Sequence, residues 1–581
     1  MIELFTKYLK PYWKQIVLVI VLVTVQSICN LYLPNLNADI INNGVVKGDI
    51  NYIWHTGGLM LGVTLLVVLA SIVTAYFASR TAMSFGRDLR SALFEKVMSF
   101  SQAEVDKFGI PSLITRNTND VQQMQMLVQI GLTMMVIAPI TSIGGIIMAI
   151  RQDVVLSYSI LIIVPLMGVV VWLMLRLATP LFRSVQKKID RVNQVLREKL
   201  MGVRVIRAFV RDDYEAERFD KANKDLMQTT LRVNRIMAFG IPSLMAIMNL
   251  AMVAIVWFGS IRIDSGAMPI GNLTAFLTYV MQIMISVMVA MGMFIMVPRA
   301  EASAERISAV LDTEPSIEDT AKTKFIAQNG NNLKGELEFR NVEFSYPGAE
   351  SPVLKDISFA TAPGEFTAIV GSTGSGKSTL VNLIPRFFDV TGGQILLDGT
   401  DIREMPIEEL RNKISLVPQK AFLFRGTVEE NLKWGNEDAT EEELWHALEI
   451  AQAKGFVSEM PGKLQAFIDQ GGTNVSGGQR QRLSIARALV KKAEVYVFDD
   501  CFSALDYKTE SLVRAALREE LKDATVLIVA QRVSSVLDAD RIVVLNDDGT
   551  IAGVGTHEEL MKTCEVYQEI VYSQLSKEEI A

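Results

Sequence analysis

Phe366-Thr-Ala-Ile-Val-Gly-Ser-Thr-Gly-Ser-Gly-Lys-Ser378 decides the fold of the C-terminal half. Phe366–Val370 reads as a buried strand, glycines punctuate the next residues, and a helical pattern resumes after Lys377. Strand, G-x-x-x-x-G-K-[ST] and helix in that order form the context in which this pattern holds phosphate. Gly371, Ser372, Thr373, Gly374, Ser375 and Gly376 can close their backbone N–H groups around an anion, aided by the positive end of the following helix. Lys377 is expected on the β- and γ-phosphates of a nucleotide, and Ser378 on Mg2+.

Further along, Val495-Tyr-Val-Phe498 is a second apolar strand, ending in Asp499-Asp500. An acid at the C-terminal end of a strand beside a phosphate loop organises Mg2+, and Asp499 is expected in that role. From about residue 336 to 581 the composition is that of a soluble α/β domain, preceded by a charged and polar linker at 312–335.

The first 311 residues read differently. The whole chain of 581 residues is 50% hydrophobic, its mean hydropathy is +0.27, and the apolar residues concentrate before residue 300. Six membrane-length spans are predicted, at roughly 16–37, 57–79, 126–149, 154–176, 241–263 and 271–297. Segments 38–56, 150–153 and 264–270 are short and hold few cations. Segments 80–125 and 177–240 are long, helical in pattern and rich in cations, among them Arg80, Arg87, Lys187, Arg204 and Arg207. Cationic loops stay inside, which places both termini and both long loops in the cytoplasm. The first apolar run is followed by more span and lacks a small-residue cleavage site, so it is expected to remain in the mature chain.

Charged residues are almost absent deep in the spans, which disfavours an ion-coupled carrier. Met281, Met284, Met288 and Met291 recur on one face of the sixth span, a pattern that suits either ordinary helix packing or a pocket for varied apolar ligands. Arg207–Phe219 mixes aromatics with charges and reads as a docking helix or a solvated one. A formal charge of −7 gives no sign of a nucleic-acid partner. Cys29, Cys501 and Cys564 form no metal or disulfide pattern.

Between the phosphate loop and the acidic strand lies Val475-Ser-Gly-Gly-Gln479. With it the chain resembles the ATP-binding-cassette (ABC) superfamily, and over nearly its whole length an exporter half-transporter. The resemblance implies an α-helical membrane domain of six helices with long cytoplasmic extensions, fused to an α/β P-loop ATPase domain that binds ATP and Mg2+. It also implies that Tyr346 stacks on adenine, that Val353 and Thr379 join the nucleotide-binding set, and that Gln419 senses Mg2+ and the γ-phosphate. Ser503-Ala-Leu-Asp506 matches the loop that meets the opposite subunit. Segments near 102–110 and 209–219 match the two cytoplasmic coupling helices.

Three positions depart from the family pattern, and the first two bear on catalysis. Asp500 stands where the family has a catalytic glutamate, one methylene short for general-base help worth about 10²–10⁴-fold. Gln531 stands where the family has a histidine after the strand Val526–Ala530, and Gln470 replaces a common glutamate ahead of the signature. In this family one chain's phosphate loop faces the other chain's signature. An impaired phosphate-loop side with an intact Ser476, Gly477, Gly478 and Gln479 is expected in a heterodimer whose partner keeps the glutamate and histidine. The expected protein is a multi-pass cell-membrane exporter of lipophilic compounds, drug-like or lipid. An ATP-gated channel or regulatory membrane protein is the alternative, disfavoured because no span carries a charged ring.

Overall fold

The computed structural model describes residues 1–319 and 335–574. The chain divides into two compact units: Met1–Met98 with Ile110–Thr313, and Ser99–Gly109 with Glu314–Ala581. In chain order the first ten helices are α1 (Ile2–Leu9), α2 (Trp13–Asp39), α3 (Ile50–Met98), α4 (Gln102–Phe108), α5 (Ile110–Thr115), α6 (Val121–Gln152), α7 (Val154–Met201), α8 (Val203–Ala208), α9 (Asp212–Asp264) and α10 (Ile270–Leu311).

Among the described residues six stretches are long and apolar enough to cross a membrane, and each predicted span lies inside one of α2, α3, α6, α7, α9 and α10. Four of these helices are far longer than the 20 or so residues a bilayer requires, at 49, 48, 53 and 42 residues for α3, α7, α9 and α10. The apolar run lies toward the N-terminal end of α3, α7 and α10 and toward the C-terminal end of α9, and the polar extension continues the same helical hydrogen bonding. The short connections stop abruptly. Asp153 ends α6 and caps α7 by accepting from the Leu156 N–H at 2.8 Å, while its other carboxylate oxygen accepts from Arg262 Nε at 2.8 Å. The Met face is split by packing. Met284 is fully buried among Leu31, Tyr279 and Ile283, whereas Met281 and Met288 are exposed; the side chain of Met291 lies outside the described residues.

A buried acid ties the root of α6 to α10. Asp120 accepts from Arg306 Nε at 2.7 Å, from Arg306 Nη2 and from Ser303 Oγ at 3.0 Å. Arg116 Nη1 donates to the Arg306 carbonyl at 2.7 Å. Only 3% of the Asp120 side chain is exposed, against 49% of Arg306, so the partners are not equivalent. Asp120→Ala leaves a guanidinium that water can reach, but Arg306→Ala leaves a buried carboxylate with little compensation. Thermal unfolding in detergent should therefore fall by about 5–10 °C for Arg306→Ala, and by less for Asp120→Ala. Equal losses would refute the asymmetry.

The second unit contains α4, whose N-terminus carries a reciprocal cap between Ser101 and Glu104. Ser101 Oγ lies 2.8 Å from Ser316 Oγ, and Glu104 Oε1 accepts from the Ser316 N–H at 3.2 Å. This helix coincides with the expected segment 102–110. The other expected segment, 209–219, is not one helix. Phe209–Arg211 is a turn between α8 and α9, with Val210 at φ +52°. The linker expected at 312–335 lies largely outside the described residues.

The strands are β1 (Leu337–Phe344), β2 (Leu354–Thr361), β3 (Phe366–Gly371), β4 (Gly392–Leu397), β5 (Thr400–Asp401), β6 (Ile414–Val417), β7 (Gly426–Thr427), β8 (Phe467–Ile468), β9 (Val495–Asp499), β10 (Thr525–Val529), β11 (Arg541–Leu545) and β12 (Ile551–Gly555). They form a sheet of order β12-β11-β3-β10-β9-β6, an antiparallel sheet of order β2-β1-β4-β5 and a small β7-β8 pair. Alternation decides the layers. Phe366, Ala368, Val370, Tyr496 and Phe498 face one core with Leu483 and Val513; Ile369, Val495 and Val497 face the other with Phe339 and Leu380. Both faces of the central parallel strands are covered, so their sequences read as continuous apolar runs.

Candidate functional site

The site grows from the C-terminal ends of β3, β10 and β9. Val529 of β10 pairs with Ile369 of β3 on one side and Asp499 of β9 on the other, which brings the start of the phosphate loop and the acidic strand end to one edge. Residue Gly376, at φ +91°, starts helix α11 (Lys377–Leu383). A Cβ there would lie 2.7 Å from Leu354 Cδ2, so only glycine lets the loop close. Gly374, at φ +95°, has open space where a side chain would project.

Lys377 Nζ folds back onto the Gly371 carbonyl at 2.8 Å and the Ser372 carbonyl at 2.5 Å. Burial holds this ammonium below its ordinary range, opposed by the charges of Asp500, Asp499 and Asp547. Ser378 Oγ donates to Asp499 Oδ1 at 3.0 Å. Burial raises the Asp499 carboxyl, and the Ser378 hydrogen bond counters it. A hydroxyl and a buried carboxylate side by side, both oxygen donors, fit a hard divalent cation. Ser378 and Asp499 would hold Mg2+, whose charge supplies neutralisation of the phosphates; the chain's own residues orient them.

Next to Asp499, Asp500 adopts φ +46° and donates its N–H to the Val529 carbonyl at 3.0 Å. Its Oδ2 accepts from Gln419 Nε2 at 3.1 Å and from Gln531 Nε2 at 2.8 Å. Burial raises its carboxyl, while the Gln419 bond and the Lys377 charge lower it. Gln419 uses its amide nitrogen on Asp500, and its Oε1 is an oxygen donor that would help hold Mg2+. Tyr346 packs edge-on against Phe344 and Phe388, its hydroxyl 3.0 Å from Thr379 Oγ1. Val353 approaches Gly376 from the β2 side.

Ser476 caps the helix Gly477–Val490. Ser476 Oγ accepts from the Gln479 N–H at 3.2 Å, and Gln479 Oε1 accepts from the Ser476 N–H at 2.9 Å. Asp506 caps the helix Tyr507–Glu520 through Thr509. Among the described residues no hydrogen bond joins 476–479 to 371–378. Two contributors were missed in the sequence. Gln574 accepts from the Val533 N–H and donates to the Gln531 carbonyl, at 2.8 and 2.9 Å, and Asp547 takes a hydrogen bond from Ser372 Oγ. Only an acidic turn directly after a buried strand signalled Asp547.

Residues 16–287 match the ABC transporter transmembrane region family, and residues 354–503 match the ABC transporter family. An uncharacterized ABC transporter ATP-binding protein of Mycobacterium tuberculosis is 46% identical over 577 residues, covering 99% of this chain and 98% of that one. The chain belongs to the ABC transporter family. It is an ATP-driven ABC exporter half-transporter, with six candidate membrane helices fused to one ATPase domain that binds ATP with Mg2+. An ATP-dependent lipid A-core flippase of Chromobacterium violaceum is 32% identical, across 98% of this exporter and 96% of the flippase. The structure of a bacterial Atm1-family ABC exporter with ATP bound shares the fold, with a TM-score of 0.78 at 22% identity over 97% of this chain and 99% of that one.

Proposed function

We propose that this exporter chain is the degenerate-site subunit of a heterodimer that moves lipophilic compounds, drug-like or lipid, out of the cytoplasm or inner leaflet. Its own phosphate loop binds ATP and turns it over slowly, while Ser476–Gln479 complete the partner's active site. The partner keeps the glutamate and histidine that Asp500 and Gln531 replace here. The assembly sits in the cell membrane, with the N-terminus and the ATPase domain in the cytoplasm.

The observation that carries this reading is the double hold on Asp500. Two carboxamides donate to the same oxygen of a carboxylate already one methylene short. A general base must reach the water it deprotonates; this one is short and tethered. Gln531 also lacks a titratable proton, so it cannot share or shuttle charge with a neighbouring carboxylate as an imidazole can. A lipid-like cargo is supported by the flippase named among the relatives and by the exposed thioethers of Met281 and Met288.

Asp500→Glu tests how many features silence the site. It restores the missing methylene but not the histidine replaced by Gln531. ATP turnover by the purified two-chain assembly should gain little, because the site still lacks the histidine and the partner's competent site continues to dominate. A rise toward two fully active sites would overturn joint silencing.

A further inference from the structure

The loop between β11 and β12 reaches the phosphate loop by construction. Leu545 of β11 pairs with Gly371 of β3, so Asn546 and Asp547 continue alongside Ser372. The turn is held from several directions. Asn546 donates its backbone N–H to the Thr550 carbonyl and its side-chain amide to Thr550 Oγ1, both at 2.9 Å. Asp548 accepts from Thr550. The Gly549 carbonyl accepts from the Lys355 N–H at 2.9 Å. Gly549 sits at φ +82° and a Cβ on it would lie 2.0 Å from the Val353 carbonyl, so the loop is pressed onto the β2 end of the nucleotide pocket. Asp547 therefore projects from a fixed turn, and it accepts the Ser372 hydroxyl.

We propose that Asp547 is an electrostatic discriminator built onto the phosphate loop, a fixed carboxylate that weakens binding of bare nucleotide polyphosphate relative to its Mg2+ complex. At neutral pH bare ATP carries roughly four negative charges, and its Mg2+ complex roughly two. One stationary negative charge at the rim repels the first about twice as strongly as the second. The hydrogen bond to Ser372 keeps that charge at the loop and prevents it from swinging into solvent. Lys377 still supplies attraction for the phosphates, and Ser378 and Asp499 for the metal. The balance then favours nucleotide that arrives with its metal.

The test is nucleotide affinity of the full-length chain, titrated with a fluorescent ATP analogue in EDTA and in excess Mg2+. Asp547→Asn keeps the shape and an acceptor for Ser372 but removes the charge. It should tighten bare nucleotide about three- to tenfold, and the Mg2+ complex by distinctly less, with the difference shrinking at high salt. Asp547→Glu should retain the wild-type preference. An equal shift in EDTA and Mg2+, no shift, or weaker binding by Asp547→Asn would overturn the proposal, because mere support of the loop does not depend on ligand charge.

Discussion

In the proposed two-chain assembly, Ser476→Ala or Gly477→Asp in this chain removes most ATPase activity, whereas Asp500→Asn leaves most of it. The geometry of the signature gives the reason. Ser476 caps the helix Gly477–Val490, and its oxygen accepts from the Gln479 N–H, which leaves the hydroxyl proton to donate outward. The first N–H groups of that helix have no intrahelical acceptor, and its dipole places positive charge at the same end. Hydroxyl, amides and dipole together form a site for an anion, exposed and unattached to this chain's own phosphate loop. Its expected ligand is the γ-phosphate held by the partner. Charge develops on that group in the transition state, and losing one such donor costs about 10²–10³-fold in rate. Gly477→Asp adds a carboxylate at the same place and repels the phosphate as well. Turnover measured at saturating ATP separates the variants. A crippling Asp500→Asn beside a mild Ser476→Ala would reverse the division of labour.

What the sequence carried, and what it did not, follows from the range of each interaction. The phosphate loop was legible because strand, loop and helix are contiguous, and the acidic strand end because Val495–Phe498 is an unbroken apolar run. The six spans were legible for the same reason, as length and apolarity are local. Helix ends were less so. Nothing in composition distinguishes the last polar turn of α9 from a loop, and the turn at Phe209–Arg211 depends on Val210 in a left-handed conformation that a β-branched residue seldom adopts. Gln419, Asp500 and Gln531 were named singly from family resemblance, but their meeting on one oxygen depends on sheet order. β6, β9 and β10 are adjacent, though distant in the chain. Asp547 needed the β11–β3 register, and Gln574 the packing of the C-terminal helix, neither of which leaves a periodic trace. The Met face shows the converse: four residues share a helical spacing, yet Met284 packs into the core while Met281 and Met288 do not.

Lys377→Ala should lower the affinity of this chain for Mg-ATP by about ten- to a hundredfold, the range expected when charge-assisted hydrogen bonds worth roughly 1.5–3 kcal/mol are removed. The Nζ donates to two loop carbonyls, those of Gly371 and Ser372, and burial disfavours its charge. Phosphate oxygens are better partners than carbonyls for an ammonium held short of solvation, so binding relieves a cost already present in the folded loop. That relief is specific to the charge. Lys377→Arg keeps the charge but brings a planar fork into a cradle closed by Gly376 against Leu354, and should bind worse than wild type. Lys377→Met keeps most of the stem without the charge and should resemble Lys377→Ala. Equilibrium binding of a fluorescent nucleotide reads all three, with thermal unfolding as the check on folding. Affinity unchanged in Lys377→Ala would remove the lysine from the phosphate site, and with it the assignment of residues 371–378 as the loop that grips ATP.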